Sequence, residues 1–461
     1  MAEDFDVIVI GSGAAGLSAA VAAADQGASV LVVEADTRVG GSSRLSGGHF
    51  YAAGTSVQEA SGVADSADAM FEHYMTLNQW LVRSDVVRRF CDLSAPTFEW
   101  LQQFGVNFPN QGLYRSGVGS TPRGHQPEGG GEQVVQCLDA ARAARGVELV
   151  LQSRVSELVI NADGRVCGVR IGDDEATAGA VILATGGFGA NEALLGEHYP
   201  SAVASGDWRW YIGSPFAQGD GLRLGAAAGA ALEGRDRGLL LVTPGFSRDL
   251  EVLLPGWLVL VNAGGRRFAD ETAPYTVLAG LIEHQGGPVH AIFDERARLA
   301  AKRSPASQAY WVNDVLEAKA DAGRIHRAPT IDALAEAAGI HASALAGTLT
   351  RYNTDIEHGE DRAFFKPVSS GAQPIVQPPF YAVEVRPNVI CWTGTGLRID
   401  ADTRVLSRNE TVIRGLYAAG ETVGSLHGDR YVGGGGSFGP CIVFGKLAGE
   451  EAARLAMGSN E

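Results

Sequence analysis

The 461-residue chain is 45% hydrophobic and carries a formal net charge of −16. This suits a globular protein and disfavours nucleic acid or an anionic membrane surface as partner, because both repel it. A single core stops growing at roughly 250–300 residues, so two folded units are expected.

No apolar run reaches the ~20 residues of a membrane span. The start, MAEDFDVIVIGSG, is acidic where a secretory signal is basic. The five cysteines, Cys91, Cys137, Cys167, Cys391 and Cys441, show no CxxC spacing. The expectation is a cytoplasmic protein with free thiols, no metal site and a small-molecule partner.

FDVIVIGSGAAGLSAAVAAADQGASVLVVEA reads as an apolar strand, a tight glycine turn, a small-residue helix and a second strand ending at Glu34. Gly11, Gly13 and Gly16 form GxGxxG. The first permits the turn, the second lets backbone approach a pyrophosphate, and the third lets helix and strand pack closely. The helix start at Ala14 and Ala15 offers N–H groups and a partial positive charge to phosphates. Glu34 lies 18 residues after Gly16, which suits a carboxylate accepting hydrogen bonds from a ribose. A lone glycine turn is the bland alternative, but strand, helix, second strand and terminal acid together predict dinucleotide binding.

Further glycine-rich turns follow in VGGSSRLSGGHF (39–50), AVILATGGFGAN (180–191) and GLYAAGETVG (415–424), the last two each after an apolar strand. They offer Gly41, Ser42, Ser43, Ser46, Gly47 and Gly48, then Ala184, Thr185 and Gly186, then Gly420 and Glu421 to the same cofactor. Val155 and Asp220 join that neighbourhood, Asp220 as the end of a strand or the cap of the next helix. Asp163-Gly164, between SELVIN and RVCGVRI, marks a hairpin. In STPRGHQPEGGGEQVVQCL, Arg123, His125 and Glu128 either line an active site or belong to a loop covering the cofactor.

From about residue 240 to 375 the texture changes to helices around a strand pair, with TIDALAEAAGIHASALAGTLTRYNTDI helical behind a Thr330 cap. KPVSSGAQPIVQPPFYAVEV reads as the crossing back. The predicted organisation is α/β: a nucleotide-binding domain over 1–240 and 376–461, and an inserted α+β cap over 241–375. RYVGGGGSFGPCIVFG then places a lone Tyr431 before the four glycines Gly433–Gly436, between a strand and an apolar helix. The last three residues, SNE, are expected to fray.

VIVIGSGAAGLSAA, GGSSRLSGG, ATGGFGAN, GRRFADE and YAAGE, in this order, resemble the flavoproteins of the fumarate reductase and 3-ketosteroid dehydrogenase superfamily across nearly the whole chain. The resemblance implies a Rossmann-type, glutathione-reductase-like FAD domain with a cap. It puts the ADP part of FAD on Gly11–Gly16 and Glu34, and the isoalloxazine ring between the domains. Membrane-complex members attach FAD through a histidine ahead of the second glycine pair; RVGGSSRLSGG has none, so noncovalent FAD is expected.

Fumarate reductases carry an arginine proton donor a few residues after RRFxxE, a second arginine before the glycine run, and a histidine after the returning strand. Tyr275, Tyr431 and the pair Cys391-Trp392 stand there in this sequence. The two tyrosines instead resemble 3-ketosteroid Δ1-dehydrogenases, which implies Tyr275 as the base that takes the proton beside a ketone. Tyr431 and the Gly435 N–H are implied as the pair that holds the ketone oxygen, and Tyr114 as the candidate early-loop tyrosine that assists the proton acceptor. Gly433–Gly436 are expected to lie against flavin and substrate, with Gly436, Ser437 and Ile442 at the start of a helix facing them.

The expected reaction introduces a C=C bond beside the carbonyl of a small hydrophobic cyclic ketone, a 3-ketosteroid or a compact one such as 4-oxocyclohexanecarboxylate, with hydride passing to flavin N5. Only one dinucleotide fingerprint is present, so electrons are expected to leave to a quinone, a dye or oxygen. Enoate reduction and a non-catalytic flavin-binding protein are the alternatives.

Overall fold

The computed structural model describes residues 3–249, 253–303 and 309–458; the terminal SNE lies outside them. Two compact units emerge, one of Met1–Val203, Tyr211–Leu239 and Ile390–Glu461, the other of Ala204–Trp210 and Leu240–Val389. The chain passes from one to the other within the strands Gly238–Pro244 and Phe380–Thr393.

The first unit is built on a parallel ladder. Phe5–Ile10 lies between Val30–Val33 and Asp174–Leu183, which is followed outward by Val412–Ala418; Glu148–Val150 flanks the other side. Val7–Ile10 and Val30–Val33 are buried throughout, as strands covered on both faces must be, and this is why they read as continuous apolar runs. The predicted hairpin is present: Glu157–Ile160 and Val166–Ile171 pair antiparallel, and Gly164 takes φ 76° between them.

The helix Ala14–Asp25 packs along the last helix, Phe438–Met457. A Cβ at Gly445 would fall 2.3 Å from the Ala15 carbonyl oxygen, and one at Gly449 would fall 2.2 Å from that of Ala19. Glycines four apart on one helix thus meet alanines four apart on the other, and the backbones touch. All five cysteines are free thiols.

In the second unit a six-stranded sheet replaces the strand pair expected from sequence. Its ladder runs Trp210–Tyr211, Phe380–Thr393, Val289–Asp294, Val259–Asn262, with Gly238–Pro244 and His326–Ala328 also paired to the long strand. Residues 380–385 bond in register to 289–294. That ladder holds 376–389 in the second unit, whereas the proline-rich crossing had placed them with the nucleotide domain. Thr330 caps Ile331–Ala338, its hydroxyl accepting from the Ala333 N–H at 3.2 Å. Gly339, at φ 66°, separates that helix from Ala342–Glu357.

The GRRFADE motif folds into a buried ionic cluster. The Glu271 carboxylate accepts from Arg267 (2.9 Å to each oxygen), from Lys366 (2.9 Å) and from the Leu260 N–H (3.0 Å). Arg267 also bridges to Asp361 at 3.1 and 2.8 Å. Its guanidinium lies 4.9 Å from the ring centres of both Tyr352 and Phe364. Burial works against ionisation of Glu271, but Arg267 and Lys366 overcome it and hold the carboxyl below its ordinary range. Two cations balance two anions, so removing one leaves a buried charge unpaired. Lys366→Met is expected to cost ~3–5 kcal/mol in urea unfolding, whereas Arg362→Met, which breaks the exposed pair with Glu360, should leave the unfolding midpoint unchanged because solvent screens that pair.

Candidate functional site

A cleft opens at the carboxyl ends of the parallel strands, where open α/β sheets bind ligands. Gly11, Gly13, Ala14, Ala15, Glu34, Gly41, Ser42, Ser43, Val155, Ala184, Thr185, Gly186, Asp220, Gly420 and Glu421 all line it. The glycine turn has the anatomy of a phosphate cradle. Gly11, at φ 104°, would bring a Cβ 2.3 Å from the Ala184 oxygen, and Gly16 would bring one 1.9 Å from the Gly11 oxygen. At Gly13 the nearest atom to such a Cβ is Ser43 Oγ at 3.5 Å, an ordinary contact, so the protein itself does not require glycine there. Ser43 Oγ accepts the Ala14 N–H at 3.0 Å; the remaining first-turn N–H groups have no acceptor within the helix and point to the cleft.

Glu34 is buried and already orders the rim. One oxygen accepts the Ser12 N–H (2.8 Å) and hydroxyl (2.5 Å), the other the Asp36 N–H (2.8 Å). The oxygen facing Asp36 has only this one donor and keeps acceptor capacity for a ribose hydroxyl. Asp220 is the first residue of the helix Asp220–Ala227. It neither ends a strand nor caps that helix, because Gly219 holds the cap position without a side-chain bond; it pairs with Arg154 at 3.3 Å.

Gly16, Ser46, Gly47, Gly48, Gly436, Ser437 and Ile442 do not line this cleft. Gly16 and Gly48 pack on neighbouring backbone, Ser46 Oγ bonds the Ser43 carbonyl, and Ile442 is fully buried core. The cleft also takes in Ser12, Ser153, Ser214, Phe216, Ala217 and Cys441. Ser153 could have been found from the strand-end rule, since it follows Glu148–Val150. Nothing in the sequence around Ser214 marks it; Ser42 Oγ joins it by accepting the Ser214 N–H at 3.0 Å and meets the Tyr211 hydroxyl at 3.2 Å.

Glu421 lies beneath Gly187, where a Cβ would stand 2.2 Å from its Oε1. Its Oε1 accepts the Thr393 N–H (2.9 Å) and hydroxyl (2.8 Å). Burial pushes this carboxyl up to about 7, against the pull of those two donors.

A second small cavity, lined by Trp392, Glu421, His427 and Ser437, adjoins Glu421. Tyr431 stands beside these residues, its ring centre 6.4 Å from that of Trp392 and 6.2 Å from that of His427. Its hydroxyl oxygen accepts the Ser437 N–H at 3.0 Å, at the start of the last helix, and lies 3.1 Å from Ser437 Oγ. Burial pushes the phenol up to about 12 and pushes the His427 imidazole down to about 3. Both are neutral at pH 7, so Tyr431 is a proton-bearing donor, and among the described residues no arginine or lysine lines this cavity.

Gly435, at φ 92°, would bring a Cβ 2.6 Å from the Tyr51 N, and Gly433, at φ 136°, one 2.2 Å from Ser116 Oγ. The protein's own backbone therefore requires these two glycines, which the sequence reading assigned to flavin and substrate. Arg123 and His125 do not line the cleft. Arg123 pairs with Asp65 at 2.7 Å, and His125 bonds Thr55 Oγ1 at 2.9 Å and the Arg123 carbonyl at 3.0 Å; Glu128 is exposed. Tyr114 bonds His49 Nδ1, a partner the sequence did not signal. Tyr275, in the other unit, is the first residue of the helix Tyr275–Glu283.

A profile described as FAD binding domain matches residues 6–437. A fumarate reductase (cytochrome) of Shewanella frigidimarina is 33% identical over 98% of this chain and 77% of its own. A 4-oxocyclohexanecarboxylate 2-dehydrogenase of Sinomonas cyclohexanicum is 26% identical over 99% of this chain and 94% of its own. The solved 3-ketosteroid Δ4-(5α)-dehydrogenase of Rhodococcus jostii RHA1, in complex with 4-androstene-3,17-dione, superposes with a TM-score of 0.80 at 27% identity, covering 98% of both chains. The cofactor of the cleft is FAD. The glycine cradle, the Glu34 carboxylate as acceptor and the N–H donors of the first helix turn fit the ADP half.

Without a linking histidine in 38–48, FAD is expected to appear in the supernatant after acid denaturation, read by its fluorescence; flavin retained on the precipitate refutes noncovalent binding. Glu421 predicts a pH effect on the FAD-free chain. Its folded value of about 7 lies above the ordinary 4.5, so the folded chain holds a proton there that the unfolded chain loses. The stability it contributes is fully present below pH 4.5 and is lost as pH rises through about 7. Thermal melts across that window should show the decline, and Glu421→Gln should flatten it.

Proposed function

Since this chain belongs to the FAD binding domain family, within the fumarate reductase/succinate dehydrogenase flavoprotein superfamily, we propose that it desaturates a cyclic ketone beside its carbonyl. It is an FAD-dependent oxidoreductase, and bound FAD supplies the acceptor for the hydride that leaves the substrate. Tyr431 donates its hydroxyl proton to the ketone oxygen. The Ser437 N–H accepted by that hydroxyl polarises the O–H bond and makes it a stronger donor. The Gly435 N–H is the second donor, by the family resemblance. Together they stabilise the negative charge that reaches the oxygen as the adjacent C–H bond breaks.

Tyr275 is the base that receives that proton, by the same resemblance. Its place at the start of a helix supports the role, because the helix dipole favours an anion at that end. A quinone, a dye or oxygen removes the electrons afterwards.

The observation that carries this reading is the cavity beside Tyr431, which among the described residues is lined by no arginine or lysine. Trp392, neutral His427 and Ser437 suit a carbonyl, which needs one or two donors. A dicarboxylate needs cations at the same place, and a buried carboxylate without them costs several kcal/mol. Reduction of an activated alkene is the second reading, favoured by the 33% identity to fumarate reductase; the tyrosines at the two arginine positions speak against it.

The test is anaerobic bleaching of the flavin by 3-ketosteroids, cyclohexanone derivatives and succinate, with fumarate offered to the reduced enzyme. Bleaching by a cyclic ketone is expected, and no oxidation by fumarate; fumarate turnover by the wild type removes the ketone assignment. Tyr431→Phe should slow flavin reduction by ~10²–10³. With the hydride step blocked, α-deuteration followed by NMR should persist slowly in Tyr431→Phe and vanish in Tyr275→Phe. Exchange at the wild-type rate in Tyr275→Phe excludes it as the base.

A further inference from the structure

The small cavity beside Tyr431 is built entirely from residues of the first unit. The space it leaves open to the centre of a water molecule is about 20 Å³, and one water needs roughly 10–15 Å³. One water fits, and no substrate does. Val423, Leu426 and Phe444 supply apolar wall. The side chains that can hold a water there are Trp392, Glu421, His427 and Ser437.

Trp392, Glu421 and His427 each keep a polar atom without a partner among the described residues. The Trp392 indole N–H makes no hydrogen bond, although the side chain is buried. Glu421 uses Oε1 for Thr393 and keeps Oε2. His427 Nδ1 lies 3.2 Å from the Tyr74 hydroxyl, whose one proton goes to the Leu426 carbonyl at 3.4 Å. Nδ1 therefore carries the hydrogen of the neutral ring, and Nε2 carries the lone pair. Burial lets Glu421 hold its proton up to about pH 7. Cys391, Cys441 and Tyr211, the other titratable groups that face it, are kept protonated by burial as well.

The fourth side chain, Ser437, has its Oγ 3.1 Å from the Tyr431 hydroxyl, and either atom can be the donor. The direction of that bond decides what the tyrosine can do. A phenol that gives its proton to Ser437 has none left for a carbonyl. A phenol oxygen that accepts both the Ser437 N–H, at 3.0 Å, and the Ser437 hydroxyl keeps its own proton to give elsewhere.

We infer that the cavity binds one water molecule, and that this water sets the direction. It accepts from the Trp392 indole N–H and from protonated Glu421, and it donates to His427 Nε2 and to Ser437 Oγ. All four hydrogen-bonding directions of the water are then used. Ser437, with no other acceptor for its hydrogen among the described residues, turns it to the Tyr431 oxygen. No proton is transferred; Trp392 and His427 act as positioning residues for Tyr431. The role of the water in turnover rests on the ketone reading above, whereas its binding does not.

The site is tested first without substrate, on the FAD-loaded protein at pH 6, where Glu421 keeps its proton. NMR should show magnetisation passing between a bound water and the Trp392 indole N–H, assigned by its loss in Trp392→Phe. Nitrogen-15 shifts should show an unprotonated Nε2 on His427. An indole without water contact, or a proton on that Nε2, overturns the site.

The direction is tested through flavin reduction by a cyclic ketone. His427→Phe keeps a ring but deletes the water's acceptor, and should slow reduction by about tenfold. Adding Ser437→Ala removes the competing acceptor and should recover most of that loss, whereas a merely structural role for His427 predicts no recovery. Trp392→Phe, which deletes the water's donor instead, should show the same loss and the same recovery. Reduction at the wild-type rate in both single variants, or no recovery in the double ones, overturns the direction. If no ketone bleaches the wild type, the ketone reading fails, and the NMR result still decides whether the water is bound.

Discussion

At Gly445 and Gly449 the last helix touches the backbone of the first, at Ala15 and Ala19, closer than any side chain permits. Gly16, on that first helix, in turn touches the turn at Gly11. These three contacts fix two helix N-termini with respect to one sheet edge. One, at Ala14, offers its N–H groups to the cleft. The other, at Ser437, delivers an N–H to the Tyr431 hydroxyl. Dispersion and apolar burial along the helices hold the contact, and the absent Cβ atoms set its distance. A larger residue at Gly445 or Gly449 would push the last helix away and carry Tyr431 with it, although neither glycine touches a ligand.

Electrostatics around Tyr431 follow from the same packing. The loop bearing His427 is pinned by Tyr74, whose hydroxyl lies 3.2 Å from His427 Nδ1, and by Asn78, which accepts the Arg430 N–H at 3.1 Å. His427 is thereby kept in the interior as a neutral ring against Trp392, at 4.3 Å between centres. Arg430, one residue from Tyr431, is exposed, and its guanidinium bonds the Asp429 carbonyl at 3.1 Å. The cation nearest in sequence is thus directed to solvent while the phenol is directed inward.

The parallel core was legible because continuous apolar strands and the glycine fingerprint are local signals. VIVI, VLVV and GxGxxG need no partner to be recognised. Glycine runs were legible as requirements for bare backbone, but one source of that requirement was not: Gly433 and Gly435 also answer to Ser116 and Tyr51, more than 300 residues away in the sequence. Arg123 and His125 drew attention as polar residues in a glycine-rich loop, and their partners Asp65 and Thr55 come from another part of the chain. The same long range hid His49, whose only local mark is a histidine after a glycine pair. The segment 376–389 was misplaced because proline and polar residues advertise a linker, whereas six consecutive ladder pairs with 289–294 decide where the strand belongs.

One cofactor scaffold can serve both carboxylate and ketone substrates because the difference is small in volume and large in charge. An arginine offers a carboxylate a fixed charge and a forked donor that matches its two oxygens. A buried tyrosine offers one neutral donor, which a carbonyl oxygen accepts at little desolvation cost. A carboxylate held by the same tyrosine would keep a full charge away from water with one hydrogen bond to offset it, at a penalty of several kcal/mol. An arginine facing a ketone would itself stand buried and unpaired, at a similar cost. The exchange therefore selects against the wrong substrate in both directions, and among the described residues the small cavity beside Tyr431 is lined by neither arginine nor lysine.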